Sequence, residues 1–74
     1  MLYEMASDII KTLRKEKGMK QLALAMESGV NRATISAIES GKYHVSLYTL
    51  ERILDALGYK LKVVKKSDDD RHDI

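Results

Sequence analysis

Arg32 is the side chain in this sequence best suited to directed hydrogen bonding, because its planar guanidinium can donate bidentately to the O6 and N7 edge of a guanine. Its neighbours fit the same use. Ala33 offers a methyl that matches a thymine methyl, Thr34 a hydroxyl for a base or a phosphate, and Ala37, one helical turn from Ala33, shares the face. Asn31, directly ahead, has the side chain of a helix N-cap and is also a candidate for a backbone contact. Further on, Lys42-Tyr43-His44 follow Gly41. Lys42 suits a phosphate as a point charge and Tyr43 through its hydroxyl, with His44 the weakest of the three. Covalent chemistry has poorer material. There is no Cys nucleophile, no phosphate-cradling loop beyond the isolated Gly41-Lys42, and no pair of His at metal-ligand spacing. The acidic run Asp68-Asp69-Asp70-Arg71-His72-Asp73 lacks a rigid frame and reads as solvated. The expectation is no enzyme, no cofactor and no metal.

These residues need helices to hold them. The chain has no Pro, so its four glycines, Gly18, Gly29, Gly41 and Gly58, act as the punctuation that divides it into helix-sized pieces. Leu2, Met5, Ile9, Ile10 and Leu13 recur at three-to-four-residue spacing and predict a first helix from Tyr3 to Lys17. Leu22, Ala25 and Met26, with Leu24 beside them, predict a short second helix from Gln21 to Ser28. Asn31 opens a third, Arg32 to Ser40, carrying Ile35 and Ile38. Ser46 opens a fourth, Leu47 to Leu57, on the strongest apolar stripe: Leu47, Leu50, Ile53, Leu54 and Leu57.

After Gly58 the period shortens. Tyr59, Leu61 and Val63 alternate with Lys60 and Lys62, which predicts a half-buried strand over residues 59–64. A single strand in a helical chain has no partner of its own, so its edge is expected to pair with the same strand of a second subunit. Residues 1–64 then form one domain, and the charged stretch 65–74 is expected to be a disordered tail.

Composition bounds the rest. Seventy-four residues make one small domain that cannot house a two-domain enzyme. The absence of Cys fits a reducing cytoplasm, and no apolar run approaches the roughly 20 residues that span a bilayer, so no membrane role is expected. The net charge is +2: residues 1–64 carry ten Lys/Arg against seven Asp/Glu, or +3, and residues 65–74 three against four, or −1. A mildly basic domain permits a polyanion partner without identifying one.

Two short helices joined at Gly29, with the second opened by Asn31, have the skeleton of a helix-turn-helix. The identities sharpen this: Gln21, Leu24, Ala25, Gly29, Val30, Thr34, Ile35, Ser36, Ile38, Glu39 and Gly41 within the motif, and Arg14, Leu50, Leu54, Leu57 and Gly58 outside it. Over about residues 9–58 the chain closely resembles the lambda-repressor-like, or XRE-type, family. The resemblance implies a mainly α fold of four to five helices, double-stranded DNA as the partner, and a phosphate-holding role for Gln21. It also implies a backbone contact for Ser36 and an architectural ion pair between Arg14 and Glu39. Lys20 stands where the family usually has Thr or Ser, exchanging a helix cap for a phosphate contact, and Val45 where it often has Pro. The ending Leu57-Gly58-Tyr59-Lys60-Leu61-Lys62-Val63-Val64 resembles the dimerising strand of HipB-type antitoxins. The reading is therefore a homodimeric repressor of a palindromic operator; the alternative is an antitoxin that also neutralises a toxin protein.

Overall fold

The computed structural model describes residues 2–66, which hold four α-helices: α1 Leu2–Glu16, α2 Gln21–Ser28, α3 Arg32–Glu39 and α4 Leu47–Ala56. Each begins and ends within a residue of its expected bounds, for local reasons. The Asn31 side chain accepts the Ala33 amide at 2.7 Å, and Ser46 Oγ accepts the Thr49 amide at 3.1 Å, so α3 and α4 start on true side-chain caps. Helix α1 stops where Gly18 donates to the Lys15 carbonyl and Met19 to that of Arg14, a paired closure that needs the left-handed φ of +74° found at Gly18.

Helix α1 packs on α3, α2 on both α3 and α4, and α1 more lightly on α4. Between them Ile10, Leu24, Ile35, Ile38 and Ile53 are fully buried, with Ala25 and Leu57 beside them. Each fully buried side chain of this size contributes about 1.5–3 kcal/mol relative to exposure. Leu13, Met19, Val30, Val45, Leu50 and Ala56 close the rim. Val45, at the position where the family often has Pro, therefore anchors the α3–α4 loop by packing.

Not every apolar residue of the periodic stripes turns inward. Ile9, Leu22, Met26 and Leu47 are exposed, Met26 to 77%. In α2 the buried positions are instead Leu24, Ala25 and Ser28. An eight-residue helix wedged against two neighbours buries a narrow face, and an apolar-rich sequence does not say which face that is.

The largest departure concerns residues 59–64. No strand occurs among the described residues, and the antitoxin-like ending is not one here. The Tyr59 amide instead donates to the Leu54 carbonyl at 2.8 Å, completing the closure of α4, and the run beyond is irregular. Alternating side chains supply a face, but a strand exists only through ladder bonds to a neighbour, and none of the described segments provides one. Residues 67–74 of the expected tail lie outside the described residues.

Candidate nucleic-acid interface

The turn between α2 and α3 is held through Ser28. Its buried hydroxyl accepts the Val30 amide at 3.2 Å and contacts the Ala25 carbonyl at 3.4 Å. Gly29 follows at φ +73° and donates to the Ala25 carbonyl at 2.9 Å, which reverses the chain within two residues. Asn31 then starts α3 with its cap. The helix-turn-helix skeleton is thus fixed by short local bonds.

Helix α3 is two-sided. Ile35, Ile38 and Glu39 are buried, whereas Arg32, Ala33 and Ser36 are exposed, with Thr34 and Ala37 half-buried at the margin. At 100° per residue, Arg32, Ser36, Ala33 and Ala37 fall along one outward face. Three of the four candidate base-contacting residues, Arg32, Ala33 and Ala37, therefore share the outward side of α3 with Ser36, and Thr34 stands at its margin. A major groove about 12 Å wide admits an α-helix, whose diameter with side chains is about 10–12 Å.

The other end of α3 is locked to α1 and α2 through Glu39. Arg14 Nε donates to Glu39 Oε2 at 2.6 Å and Nη2 to Oε1 at 3.0 Å, with side-chain exposures of only 11% and 4%. Arg14 Nη1 also donates to the Met19 carbonyl at 2.8 Å, tying the pair to the α1–α2 turn. Ser7 Oγ, also buried, donates to the Glu39 backbone carbonyl. Burial alone would raise the Glu39 carboxyl, but the hydrogen bonds from Arg14 and Gln21, with the charges of Arg14 and Lys11, hold it below the usual glutamate range. The Glu39 hydrogen bond in turn raises the Arg14 guanidinium, outweighing the burial that opposes it.

Gln21 is also engaged within the fold. Its Nε2 donates to Glu39 Oε1 at 3.1 Å, so the side chain is half-buried and shared with the ion pair. One amide hydrogen and the backbone N–H at the start of α2 remain for other uses. This bond also brings the N-terminus of α2 alongside the C-terminal end of α3. Lys20 precedes it in extended conformation, and its side chain makes no cap bond. The first-turn amides of α2 form the positive end of that helix, the usual setting for a phosphate, and Lys20 is the residue directly before them. Lys42, Tyr43 and His44 are exposed on the loop after α3, beginning three residues beyond Glu39.

Among the described residues no group of His, Asp or Glu could hold a metal, and no helix is long and apolar enough to cross a membrane. Sequence reasoning passed over Ser7 and Ser28. Ser7 carries no sequence signal for its bond 32 residues away, but Ser28 directly before a turn glycine is a local pattern in which a serine hydroxyl holds a nearby amide. Tyr59, Leu61 and Val63, the expected dimer residues, are all exposed, together with Val64.

Comparison with known proteins agrees with this geometry. The helix-turn-helix family profile matches residues 10–64. A 10 kDa protein of the ImmF control region of Bacillus phage phi105 is 40% identical over 60 residues, covering 81% of this chain and 67% of that protein. An uncharacterized HTH-type transcriptional regulator of Methanothermobacter thermautotrophicus is 48% identical over 50 residues, 68% of this chain and 72% of that protein. Among solved structures, the tetramer of a restriction-modification controller protein in complex with its natural 35 base-pair operator superposes with a TM-score of 0.75 at 32% identity, over 97% of this chain and 88% of that one. With the matched span holding the later part of α1 and all of α2, α3 and α4, the chain belongs to the helix-turn-helix family of DNA-binding transcriptional regulators, and not to a family of enzymes.

Proposed function

We propose that this chain is a homodimeric repressor that reads a two-fold symmetric operator, with α3 of each subunit in the major groove. The observation that carries this reading is the two-sidedness of α3: one face locked into the core by Ile35, Ile38 and Glu39, the other presenting Arg32, Ala33 and Ser36 to solvent. Arg32 donates to a guanine, Ala33 and Ala37 meet thymine methyls, and Thr34 touches a base or the adjoining phosphate. Lys20, Gln21, Asn31, Ser36, Lys42, Tyr43 and His44 hold the phosphate backbone and fix the register in which α3 enters. Gln21 does so while bound to Glu39, so the ion pair and the α2 phosphate site move as one unit.

With two alanines on the reading face, direct hydrogen bonding to bases is sparse. Specificity then rests on Arg32, on DNA shape, and on the spacing of two half-sites about one helical turn apart or a multiple of it. The spacing requires a dimer. Support for one comes from the exposed apolar run Tyr59, Leu61, Val63 and Val64, and from the controller protein that is a tetramer on its operator. Pairing these runs between two copies would give each the ladder partner that it lacks alone. The relatives carry regulator and controller names, which favours operator binding over the antitoxin reading.

Selection of bound sequences from a random duplex pool tests this function. Enrichment of a palindrome is the expected result, and enrichment of single, unpaired half-sites would overturn the dimeric reading.

A further inference from the structure

Arg52 lies on α4, outside the helix-turn-helix, yet its side chain reaches the motif's turn. Its Nε donates to the Ser28 carbonyl at 3.1 Å, across 24 residues of sequence. That carbonyl is one of the last of α2, which have no acceptor role within the helix, so Arg52 places a cation at the negative pole of α2. Its Nη1 donates to the Tyr48 hydroxyl at 2.8 Å, and the guanidinium carbon stands 5.4 Å from the centre of the Tyr48 ring. The Tyr48 side chain thereby holds the fork in position. The remaining nitrogen, Nη2, lies on the side of Gly29 where a Cβ would be, so a side chain there would displace the end of Arg52 in addition to straining the φ of +73°.

Ser28 is consequently gripped from two directions: its hydroxyl holds Val30 from within, and its carbonyl is held by Arg52 from α4. Ser28 and Val30 are the two residues flanking Gly29. We infer that Arg52, supported by Tyr48, is a positioning residue for DNA reading: it sets the angle at which the chain leaves α2 and so the placement of Arg32 at the start of α3. The inference rests on the DNA-binding reading above. Phosphate contacts tolerate small shifts of angle, whereas a bidentate contact to a base edge does not. Losing the clamp should therefore lower specific binding more than non-specific binding.

The test compares wild type with Arg52→Gln, Arg52→Lys and Tyr48→Phe on two duplexes: one selected by wild type from a random pool, and one of scrambled sequence. Arg52→Gln should bind the selected duplex roughly tenfold more weakly, a change of about 1.4 kcal/mol. Its affinity for the scrambled duplex should stay within about twofold, and the salt dependence should be unchanged. Arg52→Lys, which keeps the charge but not the fork, should not restore specific binding, and Tyr48→Phe should fall between. Equal weakening on both duplexes with a salt slope shallower by about 0.9 would make Arg52 a direct phosphate contact and overturn the positioning role. Unchanged affinity in a folded variant would overturn it too. If wild type enriches no duplex from the pool, the DNA-binding reading fails, and amide exchange alone then judges the clamp: faster exchange at Val30 in Arg52→Gln supports it, unchanged exchange overturns it.

Discussion

Arg14 on α1 and Glu39 at the end of α3 form a two-pronged ion pair, at 2.6 and 3.0 Å, in which neither side chain is more than 11% exposed. The pair ties α3 to α1, and Gln21 and Met19 bring the start of α2 into the same knot. Removing one partner leaves a buried charge uncompensated. Arg14→Ala or Glu39→Ala should each destabilise the fold by about 3 kcal/mol, more than an exposed pair could. In a double-mutant cycle by chemical denaturation, the double variant should be far less destabilised than the sum of the two. Additive losses would contradict the coupling.

The same pair makes stability depend on acid. Glu39 titrates below its ordinary value of 4.5 in the folded chain and returns to it on unfolding, so at low pH the unfolded chain takes up the proton more readily. Its contribution is fully present above about pH 4.5 and is lost as pH falls through the depressed folded value. Denaturation midpoints of wild type and Glu39→Gln should differ at neutral pH and converge as the solution is acidified. A gap that stays constant with pH would count against this account.

Asn31 has a structural duty separable from DNA contact. Asn31→Ala forfeits the 2.7 Å bond to the Ala33 amide and should cost about 1 kcal/mol. Asn31→Asp keeps the cap and the stability but brings a negative charge to the phosphates, and should weaken duplex binding. Thermal melts and duplex titrations of both variants separate the two effects, and an unchanged melting temperature in Asn31→Ala would remove the capping role.

Leu61 reports on assembly. It is exposed in the single chain, so Leu61→Asp should leave helix content unchanged while converting dimer to monomer in sedimentation. A dimer mass that persists in the variant would defeat pairing through residues 59–64.

The four helices were readable because the relevant forces act within a few residues: Asn31 and Ser46 cap locally, and Gly18 and Gly29 close helices on neighbouring carbonyls. The turn could be found for the same reason. What depends on which faces meet was harder to read. Met26 and Leu22 have the spacing of core residues but point to solvent, since the buried face of so short a helix is chosen by its neighbours. The family resemblance implies a phosphate-holding role for Gln21, and only the folded chain shows that its amide also bonds Glu39, 18 residues away. Arg52 carries no local signal of its bond to Ser28, which lies 24 residues earlier. At Tyr59, Leu61 and Val63 the alternation is real, but a strand requires a second edge, and none of the described segments supplies one.

The central claim, that the first turn of α3 reads bases, is tested most directly by selecting bound sequences from a random duplex pool with wild type and Arg32→Ala in parallel. The account predicts that wild type enriches a palindrome. Arg32→Ala should retain the half-site spacing but lose preference at one base pair of each half-site, by roughly 1–3 kcal/mol. Identical base preferences for the two proteins at every position would contradict it.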